Sequence, residues 1–406
     1  MALIKCSECG KEVSSSAKTC PHCGIKINSQ TCPECGKKLK GDETNCPECG
    51  FPLVKKSSTN IITENLDKIT GAKSKSYVTF KDLFKNTFKK HTDEELDEVF
   101  VCGSKETTPD LKDVNPNKAT AWVYFKILVF FIIAYIPTYL GYVQYQNNNF
   151  LPNMIILAAF AVPVTVLVFF FEINIFRNIP FYKVLKYFII GGGLSLFVAI
   201  LYFSIPFFEQ RTAVLDFEGA FFVGLIEETA KACIIAFFLF RNKKCKYILN
   251  GLLIGAAVGA GFGAFETAGY ILRYGLSSNS LTQMLEVAKW RALLAPGMHV
   301  AWATIEGAAL MYVKGFEKLD KKHLNDKRFL LICLIPIVLH WAWDLPISTP
   351  FEIYRIGLTV AAWVVIIYFI NLGLKQIDDA KELEKSKSKE PAKSELVNKK
   401  WPEKNF

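Results

Sequence analysis

From residue 119 onward the chain alternates between long apolar runs and short polar connections. The runs cover roughly 119–141, 151–171, 184–206, 219–240, 248–272, 292–313, 329–346 and 353–373. Each is long enough, at about 1.5 Å rise per residue, to cross a hydrocarbon layer about 30 Å thick. Neither the two-residue alternation of a half-buried strand nor the narrow stripe of a surface helix fits them. Backbone groups inside lipid must be satisfied within their own segment, so the pattern predicts an all-α polytopic membrane protein with about eight transmembrane helices.

The residues ahead of the first run are of another kind. Residues 51–78 are rich in Lys, Ser, Thr and Asn and read as a linker. Beyond them Phe80, Leu83, Phe84 and Phe88 fall at helical spacing, with Lys81, Lys85, Lys89 and Lys90 on other faces. This fits either a basic helix lying on the inner leaflet or a small helical pair with residues 93–100. Thr92 with Glu95 forms a capping box that starts the second helix, which favours the pair. After residue 374 Lys and Glu alternate, as in a disordered cytoplasmic tail.

Composition and charge narrow the class. Of 406 residues, 51% are hydrophobic, 33 are Phe and only 21% are charged. Apolar runs this long exclude a soluble enzyme, and the N-terminal stretch lacks the apolar core of a secretory signal. The net charge of +10 sits largely in connections that set orientation. With the N-terminus inside, the inner loops carry thirteen Lys and Arg (Arg177, Lys183, Lys186, Arg241, Lys243, Lys244, Lys246, Lys314, Lys318, Lys321, Lys322, Lys327, Arg328) against five outside (Arg211, Arg273, Lys289, Arg291, Arg355). The excess predicts a multi-pass protein of the cell membrane with both termini cytoplasmic. The lipid bilayer, not nucleic acid, is the partner this charge implies.

Eight of the twelve cysteines repeat one spacing: Cys6-x2-Cys9, Cys20-x2-Cys23, Cys32-x2-Cys35 and Cys46-x2-Cys49, each pair followed by Gly. Two such knuckles complete a tetrahedral four-sulfur site, so the pattern predicts a double zinc ribbon with two structural Zn2+ ions, ribbon 1 over 1–28 and ribbon 2 over 29–52. A segment this short needs metal to fold, and four thiolates leave no open position for chemistry. The ribbons read as adaptors, for the cytosolic part of a substrate, another cytosolic protein or nucleic acid. A linker with amphipathic helices (53–116), the membrane domain (117–373) and the tail (374–406) follow.

Ionisable residues inside the apolar runs are costly and point to function. They concentrate in four consecutive runs: Glu227, Glu228 and Lys231; then Glu266; then His299 and Glu306; then His340 and Asp344. Counted along the predicted helices, Glu227, Glu266, His299 and His340 all fall about 9 to 12 Å below the outer surface. Lys231 is one turn from both glutamates and can pair with either. Adjacent carboxylates in a low dielectric leave one usable as a base. Gly251, Gly255, Gly259, Gly261, Gly263 and Gly269 give the fifth helix a small-residue face for close packing, which brings Glu266 to the cluster. Glu306 lies deeper and reads as a buried hydrogen-bonding group.

Glu227-Glu228-Thr-Ala-Lys231, Phe262-x3-Glu266, His299-Val-Ala-Trp302 and His340-x3-Asp344 together resemble the four motifs of the PrsW family of intramembrane proteases, distant relatives of the CAAX prenyl proteases. The resemblance covers residues 219–345, with Thr267 standing where the family has a polar amide. It implies an intramembrane endopeptidase domain over 117–373, with Glu227, Glu228, Glu266, His299, His340 and Asp344 as the catalytic set. It also implies a membrane-spanning substrate, such as an anti-sigma-factor-like regulator. Two mechanisms follow. In one, His299, His340 and a carboxylate (Glu266 or Asp344) hold a catalytic Zn2+ while Glu227 or Glu228 activates water. In the other, a glutamate and a histidine activate water directly. The competing functions are an ion- or proton-coupled transporter built on the same cluster and a non-catalytic scaffold.

Overall fold

The computed structural model describes residues 3–5, 12–14, 21–22, 37, 48–49, 58–72, 76–242, 244–278 and 280–389. The chain divides into two compact units, Met1–Ile61 and Ile62–Phe406. In the first, β1 (Leu3–Lys5) pairs antiparallel with β2 (Glu12–Ser14), Ile4 opposite Val13. Of the expected zinc ligands, Cys6, Cys9, Cys20, Cys23, Cys32, Cys35 and Cys46 lie outside the described residues, and Cys49 is exposed.

The described part of the second unit is helical. After α1 (Ser58–Thr70), α2 (Phe80–Phe84) and α3 (Asp93–Phe100) come α4 (Val123–Val143), α5 (Leu151–Ile173), α6 (Phe181–Lys186), a π turn (Tyr187–Gly191), α7 (Gly192–Phe203), α8 (Pro206–Thr212), α9 (Phe217–Arg241), α10 (Ile248–Ser278), α11 (Leu281–Leu294), α12 (His299–Lys314), α13 (Lys321–Leu324), α14 (Lys327–Asp344) and α15 (Ile353–Lys389). Among the described residues, five helical segments are long and apolar enough to cross a membrane: Pro116–Val143, Asn148–Ile173, Phe181–Phe203, Ile248–Ser278 and Ile353–Ser386. The other three long runs became α9, α12 and α14. Helix α9 carries Glu218, Glu227, Glu228, Lys231 and Arg241, and α12 and α14 have only 16 and 18 residues.

Three boundaries differ from the sequence reading. The run 292–313 is not one helix: it breaks at Ala295–Gly297, so His299 opens α12 instead of lying seven residues inside a helix. Pro296 cannot donate to a helical ladder. Its carbonyl accepts from Trp363 Nε1 at 3.0 Å, and a side chain at Gly297 would run into Thr359 of α15. Helix α15 continues through 374–389, the start of the expected tail, because Leu374, Gln376 and Ile377 are fully buried and Gln376 Oε1 caps α10 by accepting from the Ile248 amide at 2.8 Å.

The third difference concerns the expected linker. The Thr92–Glu95 capping box forms and starts α3, and a second box, Thr79–Asp82, starts α2. Leu66, Val78 and Leu83 are buried in the main core, and Phe84 stacks on Phe169 at 5.1 Å. The Asn371 side chain accepts from the Tyr77 and Val78 amides, and Tyr368 and Tyr312 hydrogen-bond to Thr70. The described residues of this stretch, 62–72 and 76–121, are therefore part of the bundle rather than a tether.

Helix α10 forms the centre. Its glycines do not form the single face that the sequence suggested. Gly251, Gly255 and Gly259 lie against the backbone of α12: an added Cβ would meet the carbonyl oxygens of Gly307, Ala303 and His299 at 2.1, 2.1 and 2.2 Å. Gly261 faces the carbonyl of Phe188 on the opposite side, and Gly269 meets nothing within 4 Å. Only glycine permits this backbone approach, which fixes α12 and its first residue, His299, against α10. Gly255→Val is expected to cost about 1–3 kcal/mol and lower the thermal midpoint in detergent, whereas Gly269→Ala should melt like the wild type. Equal melting of the two variants would contradict this packing.

Candidate active site

Four helices bring the candidate side chains to one buried point. Helix α9, capped by Asp216 on the Gly219 amide at 2.9 Å, supplies Glu227, Glu228 and Lys231 on successive turns. Helix α10 supplies Glu266, α12 supplies His299 from its first turn, and α14 supplies His340 and Asp344 from its last. Glu227, Glu228, Lys231, His299 and His340 are all buried; Glu228 and Lys231 are 0% exposed.

A chain of polar contacts runs through them. Glu228 Oε1 accepts from Lys231 Nζ at 2.6 Å and lies 2.5 Å from His340 Nδ1. Lys231 Nζ also lies 3.0 Å from His299 Nδ1, and His299 Nε2 is 2.8 Å from Glu266 Oε2. Asp344 Oδ2 is 3.4 Å from His340 Nε2. Five of the six residues expected from the sequence are thus linked, and Lys231 pairs with Glu228 rather than Glu227. The indole of Trp302 stacks on His340 with centroids 4.3 Å apart, and the ring of Phe262 lies 4.6 Å from Lys231 Nζ. These aromatic walls lower the local dielectric and so strengthen the charge interactions beside them.

Glu227 is the exception. Its Oε2 is buried with no hydrogen-bond partner, 3.9 Å from His299 Nδ1 and 3.8 Å from His340 Nε2. Among the described residues Glu227, His299 and His340 form a group whose donor atoms lie within 4.8 Å of one another, close enough for a metal ion. The carboxylate in this trio is Glu227, not the Glu266 or Asp344 expected from sequence. Glu266 is instead held by His299 and by Arg291 of α11, whose Nε also donates to Thr267 Oγ1 at 2.9 Å and whose guanidinium lies 4.4 Å from the Tyr270 ring. The sequence marks Arg291 only as an outer-loop charge. Nothing local signals its role, because its partners lie 24 and 25 residues away on another helix.

The Lys231–Glu228 pair is the most deeply buried charge pair of the site. Removing one partner of such a pair strands the other charge in low dielectric at a cost of about 3–5 kcal/mol. Lys231→Met is therefore expected to lose about that much in denaturant unfolding, and the double variant Glu228→Gln, Lys231→Met should recover much of it. A double variant as unstable as the sum of its singles would contradict the pairing.

Comparison with known proteins places the helices of the site within one matched segment. Residues 179–372 match the family model described as PrsW family intramembrane metalloprotease, and residues 6–50 match double zinc ribbon. Proteins described as Protease PrsW are similar over the membrane part. The one from Clostridioides difficile (strain 630) is 28% identical over 195 residues, 48% of this chain and 78% of that protein. The one from Shouchella clausii (strain KSM-K16) is 27% identical over 197 residues, 48% of this chain and 84% of the relative. A third, from Halalkalibacterium halodurans, is 26% identical over 225 residues, covering 54% of this chain and 97% of the relative. No solved structure matches the chain. The matched segment contains every helix that contributes to the site, and a transporter reading loses its ground. With its apolar helices and buried Glu–His cluster, the membrane part of the chain is similar over residues 179–372 to the PrsW family of intramembrane proteases, whose members support a peptide hydrolase, and residues 6–50 are similar to a double zinc ribbon.

Proposed function

We propose that the chain hydrolyses a peptide bond of a membrane-spanning protein with a water activated at Glu227. The observation that carries this reading is the orphaned Glu227 Oε2 between two imidazoles. Glu228 commits its Oε1 to Lys231 and His340, which leaves Glu227 as the carboxylate able to take a proton. Water held there attacks the scissile carbonyl carbon; Glu227 accepts the water proton and passes it to the amide nitrogen as the C–N bond breaks. His340, oriented through Nδ1 by Glu228, is the group available to hydrogen-bond the developing oxyanion. Glu266, itself braced by Arg291, sets the ring orientation of His299.

The same trio has the donor chemistry of a catalytic zinc site, two imidazole nitrogens and a carboxylate oxygen with a position left open. Zinc bound there would supply Lewis-acid polarisation of the carbonyl and of water. The two ribbons, 1–28 and 29–52, are proposed to hold one structural zinc each through Cys6, Cys9, Cys20 and Cys23 and through Cys32, Cys35, Cys46 and Cys49, and to engage a cytosolic partner.

The topology proposed is eight spans (α4, α5, α6 with α7, α9, α10, α12, α14 and α15) with both termini cytoplasmic, on the thirteen-to-five Lys and Arg bias. In that orientation the start of α12 and the end of α14, which carry His299, His340 and Asp344, lie toward the outside. The cut would then fall near the outer face of the bilayer, in a single-span substrate such as an anti-sigma-factor-like regulator.

With purified full-length protein in liposomes and a library of single-span substrates, Glu227→Gln and His340→Ala are expected to lower kcat by about 10²–10⁴-fold. Cleavage by both variants at the wild-type rate would end the proposal, as would a scissile bond in the cytoplasmic half of the substrate helix. Metal analysis of the same samples assigns the ion. Loss of about one zinc equivalent in Glu227→Gln puts it in the trio; unchanged zinc leaves Glu227 acting on water without it.

A further inference from the structure

A second cavity lies directly behind the site. It has a volume of about 570 Å³ and runs from Glu228 on α9 past Glu306 on α12 to Leu324 and Lys327, where α13 ends and α14 begins. Cys233 and Cys333 line it, the first exposed and the second half-buried. Its other lining residues are mostly apolar, Thr229 and Lys327 being the further polar ones, and Leu330 and Leu334 of α14 are about half exposed. Glu228 Oε2 and Glu306 Oε2 are both buried and have no hydrogen-bond partner, and Glu306 is only 2% exposed.

A buried carboxylate oxygen without a partner is costly in a protein interior, and such atoms are commonly satisfied by ordered water. Carboxylates at membrane depth, likewise, face either the bundle interior or a water-filled cavity. Both residues line this one space, and a single water needs only about 10–15 Å³ of it together with two or more polar partners. The chemistry makes the same demand. Each turnover consumes one water: its oxygen joins the carbonyl carbon to give a carboxylate, the amide C–N bond breaks, and both water protons end on the departing nitrogen, which leaves as an ammonium group. Lipid does not deliver that water. Glu228 belongs to both the site and the cavity lining: its Oε1 lies on His340, and its Oε2 is buried without a partner.

We propose that this cavity holds water and supplies it to the active site from the α13–α14 end, with Glu306 as the residue that retains it. The supply role rests on the hydrolytic reading; the water content does not. Glu306 acts through water and is not a catalytic residue.

Hydroxyl-radical footprinting of the full-length chain in liposomes tests this, because radicals formed from bound water oxidise the side chains beside it. Cys333 reports on the cavity, and Met311, fully buried between α10 and α12, is the dry reference. Wild-type Cys333 should oxidise several-fold faster than Met311. Glu306→Leu should slow oxidation of Cys333 about tenfold and lower kcat with KM unchanged, and Glu306→Gln, which still holds water, should preserve both. If Glu306→Leu fails to fold, the wild-type Cys333-to-Met311 ratio decides alone. Cys333 oxidising no faster than Met311, as in a cavity filled by an acyl chain, would overturn the proposal, and so would wild-type oxidation in Glu306→Leu. Oxidised Cys333 in a protein that cuts no substrate would instead overturn the hydrolytic reading and leave the water in the cavity standing.

Discussion

The buried Lys231–Glu228 pair is the interaction on which the rest of the site depends. Two fully enclosed charges 2.6 Å apart need further polar contacts, and here Glu228 Oε1 reaches His340 and Lys231 reaches His299, while Glu228 Oε2 has no partner in the protein. One ion pair on α9 thereby orients an imidazole from α12 and another from α14. Glu227, one residue earlier, faces the same two rings without a proton donor of its own. The difference between the adjacent glutamates, one paired and one with an unpartnered Oε2, follows from which of them the ammonium occupies, and it is what the proposed chemistry uses.

That chemistry needs α12 at a fixed distance from α9, and the bundle supplies it through α10. Backbone contact at Gly251, Gly255 and Gly259 holds α12 close, and the break at Ala295–Gly297 makes His299 the first residue of its helix. At the opposite end Tyr312, near the end of α12, is tied to Thr70 of α1, and Gln376 of α15 caps α10. The residues ahead of the first span and those after the last are thus part of the frame that positions the histidines. The amide cluster of Asn174, Asn178 and Asn250 joins the ends of α5 and α10 in the same region.

Much of this was legible in the sequence. Apolar run length marked where the long helices lie, the Thr92–Glu95 box marked the start of α3, and ionisable residues in apolar surroundings marked the site, because each of these signals is local. What was not legible depends on contacts between distant segments. Arg291 resembles any loop cation until α11 folds back over Glu266 and Thr267. The glycines of α10 share one composition but serve different neighbours, and only the packing separates Gly255 from Gly269. Thr70 and Tyr77 lie in a stretch that looks like a linker because their polar groups are satisfied by partners some 240 to 300 residues away, among them Tyr312, Tyr368 and Asn371. Which of Glu227 and Glu228 pairs with Lys231 was undecidable from spacing, since both lie within a turn of it.

The central claim is that these buried groups add water to a peptide bond, with Glu227 as the proton acceptor. Single-turnover cleavage of a single-span substrate by the full-length chain in heavy-oxygen water measures this directly. The new C-terminal carboxylate should carry one heavy oxygen in the wild type, and Glu227→Gln should form almost none of that product. Cleavage without heavy-oxygen incorporation, or labelled product from Glu227→Gln at the wild-type rate, would contradict the account.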